Sequence, residues 1–203
     1  MPRVIDLSHV IVPGEAGRTF EIEMVGAEEI NPNVVHLPGQ WYIMHNVNMV
    51  SHIATHIEAP YHILKERADL AQIPLEQLCG EAVVLDLRGL PPRSGITVAQ
   101  MRAAANAAGG IQEGDIALLN LGYAAHYGTD AYADAPYPTT EAIHWLVEQG
   151  IKLVGVDASG VEVPGSEEHV NHHAFFEADI PVIENVTGYD QLTRSRVMVY
   201  AFP

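Results

Sequence analysis

Cysteine occurs once in the 203 residues, at Cys79, which excludes an internal disulfide, a cysteine-rich zinc site and a Cys-X-X-Cys redox pair. A reducing compartment is compatible with that composition. Basic residues are also scarce. Lys and Arg total 10 against 26 Asp and Glu, a formal net charge of −16, which repels the phosphates of a nucleic acid and an anionic membrane surface alike. The partner expected is therefore a small molecule, with no nucleic acid and no membrane. No apolar run approaches the roughly 18 residues of a membrane span, and the opening stretch through His9 lacks the apolar core of a signal peptide, so a cytoplasmic location is expected. Linkers, repeats and low-complexity segments are missing too. With 48% hydrophobic content available for a core, residues 1–203 are expected to form a single domain.

What is present reads as alternating strands and helices. Val4 to Leu7, Phe20 to Val25 and Trp41 to Val50 predict strands in the first part, with a Pro13-Gly14 turn signal between the first two. Leu64 to Gly80 predicts short helical turns. Ala82 to Leu87, Ile116 to Leu121, Ile151 to Val156, Val182-Ile183 and Arg196 to Phe202 predict further strands, several of them apolar enough to be buried on both faces. Thr97-Val-Ala-Gln100 has the form of a capping box before an alanine-rich helix that Gly109-Gly110 would end. Thr139 or Thr140 can cap a second helix reaching Glu148. A long tyrosine-containing loop, Gly122 to Pro138, is marked by its length as a functional surface. The class expected is α/β with a mixed, partly antiparallel sheet.

The densest chemistry lies in Ser51 to His62. His52, His56, Glu58 and His62 offer imidazole nitrogens and a carboxylate, a donor set that suits zinc, manganese or iron better than calcium or magnesium. Regular backbone does not bring them to one ion. On a helix His52 and His56 share a face about 6 Å apart while Glu58 points away, and on a strand the two histidines stand about 13 Å apart. A bend between His52 and Glu58 is required, and Pro60 limits helix beyond it, so the segment reads as an irregular loop after a strand. Far along the chain, Asn171-His172-His173 and Glu184, the latter at the end of an apolar strand, form a second polar cluster.

The stretch His52-Ile-Ala-Thr55-His56-Ile-Glu58-Ala-Pro60-Tyr-His62 resembles the signature His-x-Gly-Thr-His-x-Asp-x-Pro-x-His of the cyclase family of metal-dependent hydrolases, which includes kynurenine formamidases and isatin hydrolases. The departures are Ala54 for glycine and Glu58 for aspartate. Ala54 removes easy access to positive φ, so the bend must use ordinary angles or accept strain of order 1 kcal/mol. Glu58 keeps the charge and shifts its oxygens. Ile5-Asp-Leu-Ser-His9, Gly155-Val-Asp157-Ala-Ser159 and the spacing of His172 from Glu184 extend the likeness over most of the chain.

The resemblance implies a swivelling β/β/α fold, a homo-oligomer (dimer or tetramer), and one or two divalent ions per subunit, zinc or manganese. By position, it implies His52, His56 and Glu58 as ligands of a first ion and His172 and Glu184 as completing a second or shared site, with Glu58 able to bridge. His173 is the alternative to His172. His62 corresponds to a non-ligand histidine that transfers protons. The activity implied is hydrolysis of an amide C–N bond, in an aryl formamide or a cyclic amide, by water that the ion activates. The alternatives are a lactone hydrolase or ring-closing dehydratase using the same site, or a metal-binding protein without turnover. Thr55 either orients a ligand or water or makes a local hydroxyl-to-backbone bond. The other histidines, among them His9 and His169, are expected to be structural, and Trp41, Tyr123, Tyr127 and Phe175 are candidates for core packing or an aromatic pocket.

Overall fold

In the computed structural model, residues 3–14 and 17–203 are described. They fall into two compact units, residues 10–54 and residues 1–9 with 55–203. The first holds an antiparallel hairpin of β1 (Phe20–Gly26) and β2 (Ile43–Met49), in register from Phe20 opposite Met49 to Gly26 opposite Ile43. Strand alternation gives the hairpin two unlike faces. Glu21 and Glu23 accept hydrogen bonds from Asn48 and Asn46 on one face, while Ile22, Met24, Val47 and Met49 lie exposed on the other.

The larger unit is built on a six-stranded sheet. Along the chain come β3 (His56–Glu58), β4 (Cys79–Asp86), the short β5 (Gly95–Ile96), α1 (Val98–Ala107), β6 (Ile116–Asn120), the short β7 (Tyr137–Pro138), α2 (Thr140–Glu148), β8 (Leu153–Val156), α3 (Val170–Glu177), β9 (Val182–Glu184) and β10 (Arg196–Tyr200). The sheet order is β10-β4-β6-β8-β9-β3. Its four inner strands are parallel, and β10 and β3 close the two edges antiparallel. The mixed sheet expected from the sequence is thus present, with β5 and β7 forming a separate parallel pair.

The inner strands are largely apolar because both faces are covered; every residue of β6 and β8 is buried. One face, carrying Val83, Leu85, Ala117, Leu119, Val154, Val156 and Val182, packs against the three helices through residues such as Met101, Ile143, Leu146, Phe175 and Phe176. The opposite face carries Ala82, Ile116, Leu118, Leu153 and Ile183 and packs with Leu78, Tyr189 and Val199. Fully burying one such side chain contributes roughly 1.5–3 kcal/mol, so this two-sided core supplies the rigid frame for the strand ends.

The helix starts follow their caps. Thr97 Oγ1 accepts from Gln100 N–H at 3.3 Å and Gln100 Oε1 accepts from Thr97 N–H at 2.8 Å. Thr139 Oγ1 accepts from Ala142 N–H at the start of α2. After α1, Gly109 and Gly110 adopt φ of 97° and 89°, the left-handed backbone that favours glycine at a helix end. No helix among the described residues is long and apolar enough to cross a membrane.

Three expectations change. Val4 to Leu7 forms no strand: both edges of the sheet are occupied by β10 and β3, and Leu7 serves the core as a side chain while its carbonyl accepts from Thr187 N–H. Leu64 to Gly80 contains a single 3-10 turn, Leu75–Gln77. α3 was not expected. It buries Asn171, His172, Ala174, Phe175 and Phe176, and a helix covered nearly all round shows no apolar stripe in its sequence.

The predicted bend is real but shorter. Residues 51–55 form a run of bends, and Ala54 takes φ of 49°, accepting about 1 kcal/mol of left-handed strain that the glycine of the family pattern avoids. From His56 the chain is already strand, with Pro60–His62 a single 3-10 turn beyond it.

Candidate metal centre

β3 carries His56 and Glu58 on one face, two residues apart, and its antiparallel register sets His56 opposite Glu184 at the end of β9. That face is the one covered by the helices, since Glu184 alternates with Ile183 and shares the side of Val182. α3 lies over it and contributes His172. β3 and the consecutive pair α3 and β9, more than a hundred residues later, therefore converge on one small volume.

Their charged ends alternate around a closed ring. His56 Nε2 lies 3.6 Å from Glu58 Oε1 and 3.6 Å from Glu184 Oε2. His172 Nε2 lies 3.1 Å from Glu58 Oε2 and 3.3 Å from Glu184 Oε1. Glu58, His172 and Glu184 are all buried, and one ligand atom of each falls within 4.8 Å of the others. Donor atoms sharing an ion at bond lengths near 2.1 Å stand about 3.0–3.4 Å apart, so Glu58, His172 and Glu184, with edges of 3.1 and 3.3 Å, fit a single cation with little adjustment. Carboxylate oxygens with imidazole nitrogens are the donors that zinc and manganese take.

Electrostatics agree with that fit. Two buried carboxylates facing each other are costly unless a positive charge lies between them. Burial alone would lower His172, but hydrogen bonds to Glu162, Glu184 and Glu58 outweigh it and its pKa is pushed up to about 11. Burial would raise Glu58, yet its bonds to His172 and His56 hold it well below the usual carboxylate range. Glu184 goes the other way, raised by burial and by the charge of Glu58. The raised pKa of His172 puts a positive charge between the carboxylates, where a divalent ion would supply one.

The remaining sequence candidates are placed as follows. His62 ends the 3-10 turn after β3, with Nε2 3.8 Å from Glu58 Oε1 and its side chain 40% exposed, so it reaches both the ring and solvent. His173 points elsewhere, 3.9 Å from Glu177 on the exposed side of α3. His52 belongs to the unit of residues 10–54, where it is half-buried within the run of bends. Thr55 donates to the carbonyl of Asn185 and accepts from His9 N–H, the hydroxyl-to-backbone role, and it joins the residue before His56 to the residue after Glu184. Phe175 is fully buried core and Trp41 is 74% exposed. Tyr127 stacks on His9 with ring centroids 3.8 Å apart.

Several supporting residues were not among the site candidates of the sequence. Asp157, just past β8, is buried and accepts from the backbone N–H groups of Leu121, Tyr123 and Ala124 at 2.7, 2.9 and 3.3 Å. It hangs the start of the long loop, whose Tyr132 hydroxyl donates to Asn185 Oδ1 beside Glu184. Glu162, in the irregular segment before α3, contacts His172. Nothing in spacing or composition marks Glu162 or Tyr132, whereas Asp157 falls in a stretch shared with the family pattern.

Comparison with known proteins places the fold and the family. A family model described as putative cyclase matches residues 5–163. A kynurenine formamidase of Erythrobacter litoralis is 28% identical over 158 residues, spanning 77% of this chain and 68% of the relative. Isatin hydrolase A from Labrenzia aggregata, solved with benzyl benzoate bound, superposes with a TM-score of 0.80 at 23% identity, covering 99% of this chain and 87% of the other. A structure described as a predicted metal-dependent hydrolase from Bacillus stearothermophilus has a TM-score of 0.72 at 24% identity, covering 96% and 86%.

Proposed function

Since the chain belongs to the putative cyclase family, we propose that it is a metal-dependent amidohydrolase whose substrate is an aryl formamide or a cyclic amide. The observation that carries the proposal is the buried ring of His56, Glu58, His172 and Glu184, and relatives named for a formamidase and an isatin hydrolase support the bond type. Glu58, with its two oxygens turned to different imidazoles, is suited to bridging if two ions are held. His52 joins as a further ligand on the strength of the signature. When bound, a divalent ion, zinc or manganese, supplies a water of lowered pKa and polarises the substrate carbonyl. His62 Nε2 takes a proton from the attacking water and returns it to the leaving nitrogen; its half-open position lets it exchange that proton with solvent.

Replacing His62 with alanine is expected to lower kcat by roughly 10²- to 10⁴-fold with ion content unchanged by elemental analysis; undiminished turnover would remove His62 from the chemistry. A panel of aryl formamides, cyclic amides and lactones, tested with micromolar protein and added zinc or manganese, identifies the bond cleaved. Lactone-only turnover would replace the amidase reading, and no turnover of any member, with ion bound, would make the chain a metal-binding protein.

The chain, residues 1–203, is proposed to act as one cyclase-type domain, working on a small molecule in the cytoplasm and assembled as a homo-oligomer, dimer or tetramer. Supporting assembly, the β1–β2 hairpin exposes Ile22, Met24, Val47 and Met49 on one face. A two-stranded hairpin is marginal in water by itself, and such a face is ordinarily covered. Light scattering is expected to return a multiple of the 22.1 kDa chain mass; a monomer at assay concentration would overturn this.

A further inference from the structure

His172 has two ring nitrogens, and the ring of charged groups accounts for only one of them. Nε2 faces Glu58 and Glu184. On the other side of the imidazole, Nδ1 lies 2.9 Å from Glu162 Oε1. The same carboxylate accepts from the backbone N–H of His172 at 2.7 Å through Oε1 and from that of Asn171 at 3.2 Å through Oε2.

These N–H groups belong to the first turn of α3, where helical donors have no partner within the helix. The residue at the N-cap position, His169, makes no side-chain cap and sits at φ of 49°. Glu162 therefore performs the cap's task from a loop outside the helix while gripping the imidazole of its third residue. Asn171 braces the same turn independently: its amide donates to the carbonyls of Pro138 and Val161 at 2.9 and 2.7 Å, and its Oδ1 accepts from Thr140 Oγ1 at 2.8 Å. The helix start is held by two side chains, and only one of them touches the ring.

We propose that Glu162 is a positioning residue that fixes the orientation and tautomer of His172, so that Nε2 is presented to the ion. A carboxylate accepts hydrogen bonds and cannot donate them. When an ion displaces the Nε2 proton and leaves the imidazole neutral, Glu162 holds the remaining ring proton at Nδ1, which directs the lone pair of Nε2 into the space between Glu58 and Glu184. Metal-ligating histidines commonly gain their orientation in this manner. Glu162, His169 and His172 also have ligand atoms within 4.8 Å of one another, but a second cation there would compete for the nitrogen that already bonds Glu162. A neutral imidazole has one lone pair for ligation, and Nε2 uses it.

The inference rests on His172 being an ion ligand. Zinc affinity, measured by chelator competition on the full chain, is expected to fall 10- to 100-fold in Glu162→Gln, because glutamine can donate as well as accept and no longer excludes the other tautomer. In the zinc-loaded wild-type protein, long-range ¹H–¹⁵N spectra should show His172 ligated through Nε2 with the proton on Nδ1, and Glu162→Gln should show a mixture. Asn171→Ala separates this from a purely structural role: it should lower Tm while leaving the His172 pattern as in wild type and zinc affinity within about 3-fold. Equal losses of affinity in Glu162→Gln and Asn171→Ala, or an unaltered His172 pattern in Glu162→Gln, would overturn the proposal. Failure of zinc to bind wild type, or a His172 signal insensitive to zinc, would overturn instead the assignment of His172 as a ligand.

Discussion

Glu58→Gln is expected to lower divalent-ion affinity by at least about 100-fold and turnover by about 10³-fold or more, with little loss of fold. The substitution keeps the side chain's length and removes its charge. Glu58 lies within 3.6 Å of both imidazoles in the ring and 3.8 Å of His62, so one change weakens every contact that depends on its anion. Losing a ligand's charge costs more than losing a neighbour that merely orients a ligand, for which 10- to 100-fold is typical. Chelator competition and elemental analysis read the affinity, and steady-state kinetics at saturating zinc separates ion loss from a direct effect on turnover. Glu58→Asp, the residue of the family pattern, draws the oxygens back by about one bond length, roughly 1.5 Å, and should be the milder variant. Full ion content and activity in Glu58→Gln would remove Glu58 from the site.

Asp157→Ala is expected to destabilise the protein by about 3 kcal/mol. Its carboxylate partners three backbone N–H groups at the start of the 122–138 loop, and each partly buried donor left unpaired costs about 1–3 kcal/mol without simple additivity. Burial raises the Asp157 pKa, with the three N–H bonds acting in the opposite sense. A carboxyl whose folded pKa is raised contributes most stability below its unfolded pKa and loses that contribution as pH rises through the folded value. The variants should therefore be compared at one fixed neutral pH. Urea unfolding should show a lower midpoint with an unchanged m-value. Asp157→Asn, which keeps one acceptor oxygen, should recover part of the loss. A midpoint equal to wild type in Asp157→Ala would mean that the loop is anchored by other contacts.

How much of this was legible depends on whether the determinant is local. Thr97 and Gln100 declare a helix start because the partners are three residues apart, and Ile116 to Leu119 declares a buried strand by unbroken apolarity. His52 to His62 declares a ligand cluster by density, and the spacing to Glu184 favoured His172 over His173, as the geometry of α3 does. Asp157 acts on backbone groups more than thirty residues earlier, and Glu162 acts on a helix that itself left no stripe. Partners of those kinds are unreadable before the chain is folded. Val4 to Leu7 shows the converse: Leu7 is consumed by the core and Val4 is left exposed, while the ladder positions the run suits are taken by other strands.

β3 has three residues and pairs on one side only, with β9. Short edge segments are the first to open in native-state exchange, at free energies well below that of global unfolding. His56 and Glu58 ride on that segment, while Glu184 and His172 are anchored in the interior. For an ion held as proposed, opening of this edge is an expected route of release, and variants that speed amide exchange at His56 to Glu58 should also speed loss of zinc to a chelator.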